Sequence, residues 1–124
     1  MHAEISKLKI FQQFRQGKVR DIYDLGSTML IVTSDRISAF DVVFPDPIPD
    51  KGKILNAISV HFFKTTADIV PNHFISDQVQ DYPTELHPFA EYLQGRSMLV
   101  KKTRVIPFEC IVRGYISEIG RAHV

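Results

Sequence analysis

Residues 16–24, QGKVRDIYD, decide how the start of this chain is interpreted. A glycine lets backbone amides approach a ligand closely, and successive amides in a tight turn form an anion-binding concavity. Lys18 and Arg20 would lie on one face of a strand, because side chains alternate with a period of two. Gly17, Lys18 and Arg20 are therefore either a phosphate-binding loop or a charged turn that enters a hairpin. The local pattern alone favours the turn, and the spacing differs from that of a Walker A loop.

The sequence on either side of this run predicts a sheet with one main helix. Residues 28–34, TMLIVTS, have the composition of a buried strand, so a hairpin closed at Gly26 is expected over 18–34. Apolar residues at helical spacing predict a short helix over 5–15 and the principal helix over 54–69. In the principal helix this spacing places Leu55, Ile58, Phe62 and Ile69 on the apolar face.

The remaining segments predict short elements joined by loops. We expect strands at 39–44, 73–76, 96–105 and 107–116, a polar loop at 82–88 and a short helix at 89–93. The predicted fold class is α+β, a mainly antiparallel sheet with one principal covering helix.

The bulk properties are those of an ordinary globular domain. The 124 residues are 44% hydrophobic, and 15 basic residues are interspersed with 14 acidic ones. This balance provides no basic patch for nucleic acid, and no apolar run approaches the ~20 residues of a membrane span. One cysteine and an N-terminus without an apolar signal segment predict a cytoplasmic location. The histidines lack metal-ligand spacing, so no metal ligand is predicted.

Residues 34–42, SDRISAFDV, carry several polar groups in an apolar run. Strand alternation would place Asp35 and Asp41 on one face, where with Ser38 they could organise a polar substrate or a metal. The alternative is a turn together with an ion pair between Arg36 and an aspartate.

Two further segments could hold an anion. Lys51 and Gly52 come directly before the predicted helix, whose first turn contains Asn56, and a helix N-terminus favours an anionic ligand. Simple entry into the helix is equally compatible. Arg113 ends a predicted apolar strand and precedes a glycine, which suits a guanidinium that binds phosphate or carboxylate. Glu109 in the same strand would need a partner.

Three ordered segments resemble the N-terminal part of the SAICAR synthetase family: GKVRDIYDLG (17–26), TSDRISAFDVVFPDPIPDKGKILN (33–56) and VIPFECIVRGYIS (105–117). The resemblance implies an ATP-dependent ligase of purine biosynthesis that uses Mg²⁺. It joins carboxyaminoimidazole ribonucleotide to L-aspartate and gives SAICAR, ADP and phosphate. It also implies a fold like the glycine-loop ATP-binding lobe of those enzymes.

The resemblance assigns roles to matching residues only. The family's ATP site matches Gly17, Lys18, Val19, Arg20, Ile22, Lys102 and Glu109, the first four in the phosphate loop and the others around the adenine pocket, with Ile31. Catalytic roles on the substrate side are implied for Ser38, Asp41 and Lys51. Substrate binding is implied for Gly52, Asn56 and Arg113, the last at the ribonucleotide phosphate.

The C-terminal residues depart from the family pattern. After RGYIS the family continues as Gly-Ser-Gly-Trp or similar, whereas this chain has EIGRAHV. We therefore expect residues 1–117 to be a truncated ATP-binding lobe, inactive alone, and residues 118–124 to be a non-native or aberrant tail. A homo-oligomer would belong to the longer protein. The alternative function is a non-catalytic nucleotide-binding module, and a small kinase-like phosphotransferase is disfavoured because no HRD or DFG motif follows.

Overall fold

A computed structural model describes residues 13–116 of the chain. In chain order its elements are β1 (Gln13–Gln16), β2 (Arg20–Asp24), β3 (Thr28–Thr33), β4 (Ser38–Ala39), β5 (Val42–Val43), α1 (Lys51–Thr65), β6 (Phe74–Ser76), α2 (Ala90–Leu93) and β7 (Ser97–Lys101). Two 3₁₀ helices, Val79–Asp81 and Thr84–Phe89, lie between β6 and α2. The α+β class predicted from the sequence is confirmed.

Five strands form one antiparallel sheet in the order β1-β2-β3-β7-β6, and β4 and β5 form a separate two-residue ladder. The predicted hairpin is β2–β3. Its turn is closed by a hydrogen bond of 3.0 Å from the Leu25 amide to the Thr28 carbonyl. Gly26 has φ +99°, a conformation that favours glycine. In register, Ile22 pairs with Ile31 and Ile31 with Met98.

The two faces of the sheet are covered differently. One face carries Tyr23, Leu30, Val32 and Leu99, which pack with Val79, Tyr82, Leu86 and Leu93 from the 3₁₀ helices and α2. On the other face, α1 packs against β3 and β7 through Val60, Met98 and Val100. Tyr82 Oη and Ser97 Oγ are 2.9 Å apart inside the first layer. Burial raises the pKa of Tyr82 and the hydrogen bond with Ser97 lowers it. Burial is the larger effect, so the pKa is raised to about 12. The predicted loop at 82–88 is thus largely 3₁₀ helix and contributes to the core.

The bounds and face of the principal helix differ from the prediction. Helix α1 begins at Lys51 and ends at Thr65, and its buried residues are Gly52, Asn56 and Val60. Ile58 and Phe62, predicted to face the core, are exposed. The physical reason lies at the helix start: a Cβ on residue 52 would come within 2.3 Å of the Thr33 carbonyl oxygen. This close approach fixes which side of the helix meets the sheet.

Three predicted elements are corrected. Residues 13–15 of the predicted 5–15 helix belong to strand β1, and residues 1–12 lie outside the described residues. The single strand expected at 39–44 is a tight hairpin, because Phe40 and Asp41 have φ +49° and +65°. Residues 107–116 form no strand, since β7 already pairs on one side with β3 and on the other with β6. Their apolar side chains are exposed instead.

The strand at Phe74–Ser76 and the helix at Ala90–Leu93 lie where the sequence predicts them. Among residues 13–116, no helix is long and apolar enough to cross a membrane.

Candidate functional site

The glycine loop, residues 16–20, joins β1 to β2 as a tight turn. The Gly17 amide donates to the Arg20 carbonyl at 2.7 Å, and a Cβ on Gly17 would lie 3.1 Å from that oxygen. A side chain here would press on the turn, which explains the glycine. The side chains of Lys18 and Arg20 are exposed. The loop therefore presents two cations to solvent at the end of the sheet.

The guanidinium of Arg36 binds the backbone carbonyls of this loop. Its Nε donates to the Lys18 carbonyl at 3.1 Å, and its Nη2 donates to the Gly17 carbonyl at 3.3 Å. The same guanidinium pairs with the carboxylate of Asp21 at 2.9 Å, and Asp21 is only 1% exposed. Ser34 Oγ donates to the Val19 carbonyl at 2.8 Å. Residues 34–36 thus bind three successive carbonyls of the loop.

Lys18 contacts a residue far along the chain. Its ammonium pairs with the Asp41 carboxylate, which lies in the turn between β4 and β5. Both side chains are more than half exposed, so the pair contributes little to stability. The structure therefore brings Asp41 to the side of the glycine loop, and Ser38 lies on β4 of the same hairpin.

The start of α1 is anchored by a buried carboxylate. Asp35 Oδ1 accepts hydrogen bonds from the Gly52 amide at 2.8 Å and from Arg96 Nη1 at 3.0 Å. Asp35 Oδ2 accepts from the Asp50 amide at 3.3 Å. Next to this anchor, Lys51 Nζ donates to the Arg36 carbonyl at 3.1 Å. Helix α1 and the glycine loop are thus both tied to the same short run, residues 34–36.

The pKa of Asp35 reflects these contacts. Burial alone would raise it, but the hydrogen bond from Arg96, the amides of Gly52 and Asp50 and the positive charge of Arg96 outweigh burial. The pKa is held below its ordinary value, so Asp35 is a carboxylate at neutral pH. The prediction that Asp35 and Asp41 share one face is wrong, because Asp35 is buried against Arg96 whereas Asp41 is in an exposed turn.

A half-covered apolar surface lies beside the glycine loop. Ile22 of β2 and Ile31 of β3 are cross-strand partners, and both are partly exposed. At the far end of β2, Lys102 Nζ pairs with Asp24 Oδ1 at 2.7 Å. That hydrogen bond, with the one from the Gly26 amide, lowers the pKa of Asp24. A groove along β2 would thus have cations at one end and an ion pair at the other.

The structure assembles only part of the predicted site. Gly17, Lys18, Val19, Arg20, Asp41 and Lys51 are connected through the contacts above. Lys102 lies at the opposite end of β2, while Glu109 and Arg113 are exposed in the irregular segment after β7. Asn56 is buried and donates to the carbonyls of Gly95 at 3.2 Å and Ser97 at 3.3 Å.

Three residues around the glycine loop and the start of α1 are not among the site residues that the sequence predicts: Arg36, Asp21 and Arg96. The alternative interpretation of residues 34–42 expected an Arg36–aspartate pair, and the structure identifies Asp21 as the partner. Asp21 lies two residues before the core residue Tyr23 on β2 and therefore on the same face, so it points to the interior and needs a buried cation. That spacing was the available signal. Arg96 gave no comparable one, because its partner is 61 residues away.

No group of three or more His, Cys, Asp or Glu side chains within residues 13–116 is arranged to hold a metal ion. A magnesium ion that binds nucleotide phosphates needs only one or two protein carboxylates. We assign no metal ligand in this chain.

Comparison with known proteins places these features in a family context. The sequence profile described as SAICAR synthetase matches residues 13–123. A phosphoribosylaminoimidazole-succinocarboxamide synthase from Pelobacter propionicus is 57% identical over 120 residues, which are 97% of this chain and 40% of that protein. The protein of the same name from Geotalea uraniireducens is 61% identical over 105 residues, which are 85% of this chain and 36% of that protein.

A solved structure shows a similar fold. The SAICAR synthase of Saccharomyces cerevisiae in complex with SAICAR superimposes with a TM-score of 0.70 at 37% identity. The match covers 79% of this chain and 36% of the yeast chain. The chain thus spans about two-fifths of the length of the curated relatives it matches.

Proposed function

The chain belongs to the SAICAR synthetase family, and from this we propose that it forms the ATP-binding part of a purine-biosynthesis ligase. The reaction would join carboxyaminoimidazole ribonucleotide to L-aspartate and release ADP and phosphate. The activity is proposed for the longer protein that carries this segment. A cytoplasmic location and a homo-oligomeric assembly of that protein remain predictions.

The observation that carries the proposal is the glycine loop at the end of the half-covered surface of β2 and β3. Lys18 and Arg20 are exposed at the loop, while Ile22 and Ile31 present partly exposed apolar side chains beside it. Four residue steps separate Arg20 from Asp24, which is about 13 Å along a strand. An extended nucleoside triphosphate can therefore lie along β2 with its phosphates at the loop and its base over Ile22 and Ile31.

The ion pair between Lys18 and Asp41 supports a role in phosphate binding. Because both groups are exposed, the pair is weak, and a polyphosphate with several negative charges would compete well for Lys18. The pair places the ammonium beside the loop. We propose that Lys18 moves from Asp41 to the phosphates of ATP when the nucleotide binds.

The chemistry needs charge neutralisation more than a protein nucleophile. The carboxylate of carboxyaminoimidazole ribonucleotide is a poor electrophile. One of its oxygens would therefore first attack the γ-phosphorus of ATP, and ADP would leave. The aspartate amine then attacks the acyl carbon, loses a proton and displaces phosphate. Lys18 and Arg20 would offset the charge that moves from the γ-phosphoryl group to ADP. Mg²⁺ bound to the nucleotide would supply further neutralisation.

The other predicted residues keep their proposed roles on the substrate side. Asp41 pairs with Lys18 of the glycine loop, and Ser38 lies on β4 of the same hairpin. Lys51, at the start of α1, donates to the carbonyl of Arg36, which binds the loop. Gly52 and Asn56 are buried in the contact between α1 and the sheet, so we propose that they position this helix. Their contact with substrate, and that of Arg113 with the ribonucleotide phosphate, stays a prediction. So do the adenine-side roles of Lys102 and Glu109.

Calorimetric titration of ATP with Mg²⁺ tests the nucleotide site. The wild-type chain is expected to bind, and Lys18→Met is expected to bind about 10-fold more weakly, as suits the loss of one charge-assisted hydrogen bond. Lys64→Met is the matched control, because Lys64 lies at the other end of α1. Equal affinities of wild type and K18M would contradict the proposed site.

A non-catalytic nucleotide-binding module on the same lobe would bind ATP in the same way. The two functions differ in turnover by the longer protein. Formation of SAICAR from its three substrates supports the ligase, and ATP binding with no product supports the module.

A further inference from the structure

The backbone of the glycine loop is turned in one direction by its contacts with residues 34–36. Arg36 binds the carbonyls of Gly17 and Lys18, and Ser34 binds the carbonyl of Val19. The described residues contain no cis peptide bond. In a trans peptide the C=O and N–H point in opposite directions. The N–H groups of Lys18 and Val19 therefore point away from Arg36.

We propose that Arg36 is a positioning residue that turns the amides of Lys18 and Val19 outward as an anion-binding nest for a polyphosphate. Successive amides that point the same way form such a concavity. A single guanidinium can hold both carbonyls because its donors have a fixed planar arrangement. This inference rests on the proposed function, in which the ligand is the triphosphate of ATP.

Arg36 acts through the loop and not as a phosphate ligand. Its charge is already paired with the buried carboxylate of Asp21, and its own side chain is only 16% exposed. Its donors are directed at Asp21, Gly17 and Lys18. A phosphate at the exposed side of the loop would thus meet the amides and Lys18, with Arg36 behind them.

The contact also couples the loop to the start of α1. The carbonyl of Arg36 accepts the hydrogen bond from Lys51 Nζ, and the preceding residue, Asp35, binds the Gly52 amide. One run of three residues therefore fixes both the loop and the lysine at the helix start. This is the arrangement that a site must have if phosphate and substrate are to be held in a constant relation.

Arg36→Lys is the direct test, since it keeps a cation for Asp21 but cannot span two carbonyls and a carboxylate. The probes are sodium tripolyphosphate, adenosine and ATP with Mg²⁺, each titrated calorimetrically into the chain. R36K is expected to bind tripolyphosphate about 10-fold more weakly or worse, with adenosine affinity unchanged. In ¹H–¹⁵N spectra, tripolyphosphate should shift the Lys18 and Val19 amides of wild type strongly and those of R36K much less.

The matched control is Lys64→Met, which removes a cation at the far end of α1 and should leave all three affinities unchanged. If R36K does not fold, the double variant Asp21→Asn with Arg36→Gln replaces it, because it leaves no unpaired buried charge. The same selective loss of tripolyphosphate binding is expected for the double variant.

The outcomes separate this inference from the proposed function. Equal tripolyphosphate affinities of wild type and R36K would overturn the role of Arg36. An R36K variant that loses tripolyphosphate and adenosine affinity in parallel would also overturn it. Either result would leave the proposed ATP binding of the wild type intact. The wild type could bind tripolyphosphate at the two amides and bind ATP with no higher affinity. That result would support the anion-binding nest and refute the nucleotide site. Binding of neither ligand would refute both.

Discussion

Replacement of Asp35 by asparagine should strongly destabilise the junction between α1 and the sheet. The carboxylate accepts four hydrogen bonds, from Arg96 at 3.0 and 3.4 Å and from the amides of Gly52 and Asp50 at 2.8 and 3.3 Å. The side chains of Arg96 and Asp35 are 7% and 6% exposed. An asparagine would leave the buried guanidinium without its counter-ion and turn one acceptor into a donor facing other donors.

The expected cost is large for a domain of this size. Removal of one partner from a buried ion pair costs about 3–5 kcal/mol, against a total stability of about 5–15 kcal/mol for a typical domain. The matched control is Asp50→Asn in the same segment. Asp50 pairs with Lys53 at 3.8 Å, and both side chains are about half exposed or more, so its loss should cost less than about 1 kcal/mol. Asparagine also tolerates the left-handed conformation of residue 50, whose φ is +65°.

Urea unfolding of the wild type and both variants, followed by circular dichroism, measures these differences. The pH dependence adds a second readout. Because the folded pKa of Asp35 is lowered, its contribution is complete above the unfolded pKa of about 3.9 and is lost as pH falls through the folded pKa. D35N should therefore lose most stability near pH 7 and converge toward wild type in acid. A D35N variant as stable as D50N at pH 7 would refute this reasoning.

Three further predictions concern separate parts of the fold. Gly52→Ala should destabilise the chain by about 1–3 kcal/mol or more in urea unfolding, because its Cβ would collide with backbone oxygen atoms. Gly114→Ala is the control, and it should change the stability little because the space around Gly114 is open. Tyr82 should remain un-ionised at pH 11 in an ultraviolet titration of the native chain, since burial raises its pKa to about 12; a native-state transition near its ordinary pKa that Tyr82→Phe abolishes would disprove this. Lys102→Met should raise the pKa of Asp24 toward its ordinary value in a ¹³C NMR titration, and an unchanged pKa would show that the ion pair does not persist in solution.

The features that the sequence predicts are those specified by neighbouring residues. The β2–β3 hairpin follows from alternation on both sides of the Gly26 turn, and helix α2 and strand β6 follow from short local patterns. The α+β class then needs only the sum of these elements. The family motifs in turn select the glycine loop as the candidate phosphate site, where the local pattern alone favours a plain turn.

The features that it misses depend on distant residues. The close approach of Gly52 to the end of β3 determines which face of α1 is buried. Apolar spacing therefore predicts the wrong buried face, because Ile58 and Phe62 are exposed. The helix start is fixed by Asp35, which lies 17 residues before Gly52. Residues 107–116 have the composition of a strand, but the sheet order leaves no free edge beside β7.

The same limit applies to the candidate site. Gly17, Lys18 and Arg20 stand out because a glycine and two alternating cations are recognisable in a short window. The contacts that hold the loop come from Arg36 and Ser34, whose partners are 15 to 19 residues away. No local pattern shows that one guanidinium binds two carbonyls of the loop and the buried Asp21.

The most direct test of the nucleotide site is a ¹H–¹⁵N NMR titration of the chain with ATP and Mg²⁺. We expect the largest shifts in the glycine loop, residues 16–20, with a second group at Ile22 and Ile31. Adenosine should reproduce the second group alone, and tripolyphosphate the first. Saturable binding whose shifts lie elsewhere, or no binding at all, would contradict the claim that this surface holds a nucleoside triphosphate.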